Sequence, residues 1–275
     1  MRFPILSAVA AVAAVVCHPT TALALKFSST FESIHIDARR GDSQTRSFTL
    51  TIAKDERPTR FRAKVEDWWT TEDGKQSFYR PVGTVARSCG RWVTINPVEA
   101  IVQPGGTLEV RVSVNVPRDA ATGGYWSVLT VDELAPPGPR AGVAMQFLAS
   151  ISVGIFVNVE PVIRSVRIDG VRLAGDEAAV RVRNTGNAPL TVEGRFEFLK
   201  TGQQKPVAIL TLPKTTLVLD PAPVRLISTK LPGATALPSG HYLVRAILDV
   251  GLDHYIGAQK EMDIRREQPA RAPVR

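Results

Sequence analysis

The sequence predicts an all-β chain, with two immunoglobulin-like β-sandwich domains in tandem that meet at an angle. Three observations predict it. Beyond the first 24 residues, apolar and polar residues alternate with the period of two that marks half-buried strands. Short turn signals rich in Gly, Asp and Pro separate these runs at the spacing of a sandwich. An arrangement of Pro, polar loop, Tyr and strand then occurs twice, once in each half.

The chain opens on a segment to be set apart from the fold. Arg2 gives a positive start, Ile5 to Val16 form an apolar run interrupted only by Ser7, and Ala22-Leu23-Ala24 matches a small-x-small cleavage pattern. Residues 1–24 therefore read as a secretory signal peptide, cut after Ala24. The apolar run is too short to span a bilayer comfortably. Val16 before Cys17 departs from a lipid-attachment pattern, which wants Gly or Ala there. Cleavage leaves Cys89 as the one cysteine, so no internal disulfide can form.

Residues 25–160 read as the first domain. Phe48, Leu50 and Ile52 alternate with polar residues, and so do Phe61, Ala63 and Val65. Leu108, Val110, Val112, Val114 and Val116 alternate with Glu109, Arg111, Ser113 and Asn115. Turns fall at Arg40-Gly41-Asp42, Asp73-Gly74, Pro104-Gly105-Gly106 and Thr122-Gly123-Gly124. Ala141 to Val159 are nineteen residues without a charge. In one register this run is apolar at every position from Val143 to Val159, while the other carries Gln146, Ser150, Ser152, Gly154 and Asn158. A membrane helix would spread those polar groups around its circumference, whereas a strand gathers them on one face. The run thus reads as one long strand, either central and buried on both faces or projecting an edge that a partner uses.

Residues 161–265 read as the second domain, with the boundary at Glu160-Pro161. Ala178, Val180 and Val182 alternate up to a turn at Asn184 to Asn187. Leu190 to Leu199 alternate imperfectly, and Val224 to Leu231 and Tyr242 to Val250 follow. The repeated arrangement links Pro117 to Tyr125 in the first half and Pro232 to Tyr242 in the second. It has the placement of a tyrosine corner, in which the hydroxyl ties the crossing loop to the backbone. Residues 266–275 read as a disordered basic tail, rich in Pro and Arg.

Charge and motifs exclude several functions. The chain carries +8, or +7 once Arg2 leaves with the signal. The basic residues mostly alternate along strands, as in Arg181-Val182-Arg183, which is a solvated sheet face and not a nucleic-acid patch. His35, His241 and His254 match no zinc spacing. No nucleophile elbow, phosphate loop or dinucleotide fingerprint occurs. The reading is therefore a non-enzyme with no catalytic residues, no metal, no cofactor, no nucleic-acid partner and no transmembrane segment in the mature chain. Trp68-Trp69, Trp92 and Trp126 are candidates for stacking on sugars, although consecutive strand residues point to opposite faces and one of the first pair belongs to a core.

The order of motifs carries a resemblance. Gly41-Asp42-Ser43 lead into Phe48-Thr49-Leu50, followed by Val65-Glu66-Asp67-Trp68, Asp73-Gly74 and Ile95-Asn96-Pro97. Pro104-Gly105-Gly106, Val116-Pro117, Gly124-Tyr125, a Pro-rich loop over 135–140 and the long uncharged run complete the first domain. This layout resembles the periplasmic pilus-assembly chaperones of the PapD family. The resemblance implies a boomerang-like pair of domains and a periplasmic chaperone that binds an exported, pilin-like subunit by lending it the last strand of domain one, and that also meets an outer-membrane usher. The donor positions it implies are Val143, Met145, Phe147 and Leu148. It also implies a basic pair anchoring the subunit's C-terminal carboxylate. The last strand has no Lys or Arg between Ala141 and Val159, which leaves Arg39 and Arg40 as the weak candidates, with His35 a lesser one. The alternative reading is an extracytoplasmic structural, adhesion or adaptor module of the same fold, in the periplasm or on the cell surface, without strand donation.

Overall fold

The computed structural model describes residues 26–29, 33–135, 148–233 and 235–265. Their regular structure is strand, apart from one 3-10 turn at Gly90–Trp92. The expected signal segment, residues 136–147 and the tail from 266 onward lie outside the described residues.

The first sandwich is built from β1 (Phe27–Ser29), β2 (Ser33–Ala38), β3 (Ser43–Ile52), β4 (Thr59–Thr70), β5 (Gln76–Arg80), β6 (Val93–Asn96), β7 (Glu99–Val102), β8 (Thr107–Asn115), β9 (Gly123–Glu133) and β10 (Ser150–Val159). One sheet has the order β1-β3-β8-β6. The other has the order β2-β10-β9-β4-β5, with β7 also on β4. The alternation read from the sequence is what closes the core. Phe48, Leu50 and Ile52 of β3 and Leu108 to Val114 of β8 meet Phe61 and Ala63 of β4, Leu129 and Val131 of β9, and Val153, Ile155, Val157 and Val159 of β10. Two facing sheets with alternate residues turned inward form the sandwich layer.

The second half is built from β11 (Val166–Ala174), β12 (Glu177–Asn184), β13 (Leu190–Lys200), β14 (Ala208–Leu217), β15 (Val224–Lys230), β16 (Gly240–Asp249) and β17 (Ile256–Ile264). Its sheets have the orders β11-β12-β15 and β14-β13-β16-β17. Between them lies a separate core that includes Val180, Val182, Phe196, Phe198, Tyr242, Val244 and Leu248. The imperfect alternation of Leu190 to Leu199 has a plain cause. Gly194 holds an inward position with no side chain to bury and Leu199 is buried on the opposite face, while the register shift beside Val192 puts its extra residue on β14.

Both tyrosine corners are present. The Tyr125 hydroxyl donates to the Ala121 carbonyl at 3.0 Å, and the Tyr242 hydroxyl donates to the Pro238 carbonyl at 2.9 Å. Each spans four residues, so the two halves share this device.

The long uncharged run differs from expectation. Its described strand begins only at Ser150, and Leu148 and Ala149 precede it outside any strand. Over its last six residues β10 is central, because β9 flanks it on one side and β2 on the other. Only one face is fully buried there. The other face, with Phe156 and Asn158, is half-buried.

The halves meet through a third apolar cluster. Trp68, Trp126 and Val128 on the outer face of the first sandwich pack with Val85 and with Val218 of the second. The turn between β4 and β5 docks on β12 and β15. The Leu226 amide donates to the Glu72 carbonyl at 2.9 Å, Arg225 donates to the Thr71 carbonyl at 3.1 Å, and Arg181 holds the Glu72 carboxylate at 2.6 Å.

Candidate functional site

The open edge of β10 is the first feature to build. The pair Glu133 and Ala149 exchanges a ladder bond, Glu133 N–H to Ala149 carbonyl, at 2.8 Å. In an antiparallel ladder the residues of such a pair aim their backbone groups at each other, and the next residue aims its own outward. Ser150, opposite Asp132, therefore points its N–H and carbonyl away from β9, toward the β2 side. The parallel register there sets Gly154 opposite Ser33 and would bring Ser29 opposite Ser150. Ser29 instead pairs with Leu50 in the facing sheet, a layer about 10 Å away. The first strand changes sheets, and so among the described residues no strand covers the edge at Ser150.

Around this edge the outer face is polar and charged. The Ser150 hydroxyl donates to Asp132 at 2.6 Å, Lys64 bridges Asp132 and Glu66 at 3.1 and 3.2 Å, and Arg60 and Arg62 grip Glu99 at 2.5 and 2.6 Å. Such cross-strand charge pairs suit a solvated sheet face. Leu148 is 47% exposed, just before the strand. Val143, Met145 and Phe147, the other expected donor positions, lie outside the described residues.

Farther along the same face lies a cleft of about 880 Å³ between the two sandwiches. Its first-sandwich wall is aromatic. His35 stacks on Phe156 with ring centres 4.9 Å apart and planes 12° apart, and Trp68 meets Phe156 edge-on at 6.1 Å. Burial holds the His35 imidazole below its ordinary value of 6.5, against the opposing pull of Asp37. The facing wall carries Pro189 and Leu190, and a Lys214 to Glu193 ion pair at 2.8 Å. Arg164 also lines the cleft and is exposed.

The expected basic anchors sit elsewhere. Arg39 and Arg40 are exposed and follow the end of β2, where the Arg39 amide bonds the Asp42 carboxylate at 2.7 Å to close the turn at Gly41. That end of β2 lies beside Val159, the opposite end of β10 from Ser150. The cleft cations Arg164 and Lys214 were not singled out from the sequence. They come from separate elements, and no spacing along the chain relates them to β10.

The remaining candidates resolve into packing. Cys89 is fully buried, and burial pushes its thiol up to about 12, so it stays protonated and unreactive at neutral pH. Trp126 and Trp68 are buried, Trp92 packs on Tyr125 at 4.2 Å, and Arg80 covers the Trp69 ring at 5.5 Å. Among the described residues there is no group of three side chains able to hold a metal ion.

No family model matches the chain, and no curated protein does. Solved structures do resemble it. The class 5 fimbriae chaperone CfaA is 11% identical, covering 86% of this chain and 99% of its own, with a TM-score of 0.46. The chaperone YadV is 10% identical, covering 86% and 99%, with a TM-score of 0.47. The Pseudomonas aeruginosa chaperone CupB2 is 10% identical, covering 85% and 98%, with a TM-score of 0.45.

Proposed function

We propose that this chain is an exported chaperone that binds an incomplete β-sandwich subunit by strand addition along the open edge of β10. The observation that carries the proposal is the backbone of Ser150, beside which no described strand lies because its register partner Ser29 pairs in the facing sheet. An exposed edge of this kind templates pairing with another chain, and backbone bonds supply affinity while alternate side chains supply specificity. The motif order that resembles the PapD family supports the same reading, with Val143, Met145, Phe147 and Leu148 as donor side chains and a pilin-like subunit as client. An outer-membrane usher is the second proposed partner. Residues 1–24 direct export, and the periplasm is the proposed site of action. The two domains divide at Glu160-Pro161.

β2 takes over that edge from Gly154 onward, so a subunit strand paired at Ser150 leaves the edge there, and its end would reach the cleft beside Phe156 only across the outer face. There Arg164 is the cation placed to meet a terminal carboxylate. Arg39 and Arg40, beyond the far end of β2, lie off that path.

Export the chain with its client subunit and recover complexes from the periplasm. Ser150→Pro removes an outward N–H at an edge position where proline is tolerated. Met145→Asp with Phe147→Asp places charge on the donor side chains. Both variants are expected to fold and to lose the client by at least tenfold. Full recovery of the client with both variants would refute strand addition.

A further inference from the structure

We propose that Glu133 is a positioning residue that fixes where the lent segment parts from β9, and therefore which residue first offers an open edge. This rests on the strand-addition reading of β10. Glu133 ends β9 and is only 5% exposed, pointing inward at the end of the core where an apolar residue would be the ordinary choice. Its backbone N–H bonds the Ala149 carbonyl at 2.8 Å, as a ladder pair should. The return bond is different. The Ala149 N–H donates to the Glu133 side-chain Oε2 at 3.0 Å, where a regular ladder would use the Glu133 main-chain carbonyl. The carboxylate thus takes over the last rung, and the two strands separate at that point. On its other side β9 is still held, since the Leu134 amide donates to the Arg60 carbonyl at 2.8 Å. Parting is therefore confined to the β10 side.

The second carboxylate oxygen explains why a charge is tolerated there. Arg57, half-exposed, donates to Oε1 at 2.8 Å, so the buried carboxylate has a cation on one oxygen and a backbone donor on the other. The Arg57 carbonyl in turn accepts from the Thr59 hydroxyl at 2.9 Å, which steadies the approach to β4. One side chain thus ties three segments: the end of β9, the start of β10 and the loop before β4. A strand donor needs a fixed register, because a slip of one residue turns every side chain to the opposite face.

The test is residue-resolved amide exchange on the full mature chain without any partner, comparing wild type with Glu133→Ala, Glu133→Gln and Arg57→Gln. Glu133→Ala should speed exchange at both Ala149 and Ile151 at least tenfold, while the core amides of Leu129 and Phe48 keep their wild-type rates. Glu133→Gln retains an acceptor oxygen and should restore Ala149 and Ile151 to within about threefold of wild type; Arg57→Gln should fall between the two. The proposal is overturned if Ile151 is unchanged in Glu133→Ala, if Glu133→Gln exchanges as fast as Glu133→Ala, or if every core amide accelerates together. Each of those results would leave strand addition standing, since that is read from partner binding at Ser150.

Discussion

At the scale of single residues, His35 and Asp67 show how burial and charge meet beside the cleft. Asp67 is fully buried and satisfied without a cation, taking bonds from the Gly83 and Val85 amides at 2.8 and 3.1 Å and from the Ser88 and Ser127 hydroxyls at 2.5 and 3.2 Å. It pins the loop after β5, and its removal would strand the Gly83 and Val85 amides, whereas the Ser127 hydroxyl also reaches the Trp126 carbonyl at 2.8 Å. His35 is held below 6.5 by burial against Phe156. The unfolded chain therefore binds its proton more readily than the folded one, so the stability that neutral His35 confers is complete above 6.5 and is lost as the pH falls through the lower folded value. His241 acts in the opposite sense, since its bond to Asp263 raises it. The difference between wild type and His35→Gln isolates the first effect. Thermal midpoints of the two should converge between pH 7.5 and about 5 as wild type loses its advantage; parallel curves would contradict this account. Neither environment was legible in the sequence. Asp67 lies in a run that breaks the alternation of β4, and its four donors arrive from Gly83 to Ser127, which nothing local announces.

At the scale of elements, alternation revealed most of the strands and concealed a few. β3, β8, β12 and β16 turn inward the apolar sets read from the sequence, because each has one solvated face. β14 was missed. It carries Pro213, which argues against a central strand, and it lies at a sheet edge where proline is tolerated. β9 hides its pattern for the opposite reason. Both of its faces are buried, one in the first core and one against the second sandwich, so its residues read as a continuous apolar run. The tyrosine corners were legible because a Pro, a loop and a Tyr keep their order in both halves. Each hydroxyl bond contributes about 1 kcal/mol. Tyr125→Phe and Tyr242→Phe should each lower stability by about that amount in denaturant titration, with the apolar ring still packed. A loss below about 0.2 kcal/mol for both would remove the corner from the account.

At the scale of the whole molecule, two glycines read from the sequence as turn residues prove to be contact residues. Gly123 has φ +114, and a Cβ on it would lie 2.4 Å from the Asn187 carbonyl oxygen. A Cβ on Gly124 would lie 2.6 Å from that of Ala188, and the Gly124 amide donates to the Asn187 carbonyl at 2.8 Å. The second sandwich approaches the first too closely there for any side chain. Together with the Glu72 to Arg181 pair and the Val218 contact, this fixes the angle at which the cleft opens. The two-sandwich plan could be read from periodicity, which is local. The elbow and the cleft could not, because Arg164, Lys214 and Phe156 converge only after both sandwiches have formed. The uncovered edge was legible only in part. The long uncharged run suggested it, but its position depends on the first strand leaving for the facing sheet at Ser29. The most direct measurement of the central claim is amide exchange at Ser150, with and without the client subunit, using Ile151 as the internal control. In the free chain Ser150 should exchange quickly while Ile151, bonded to β9, is protected. Binding should slow Ser150 by at least a hundredfold and leave Ile151 almost unchanged. A Ser150 amide that exchanges as fast in the saturated complex as in the free chain would contradict strand addition at this edge.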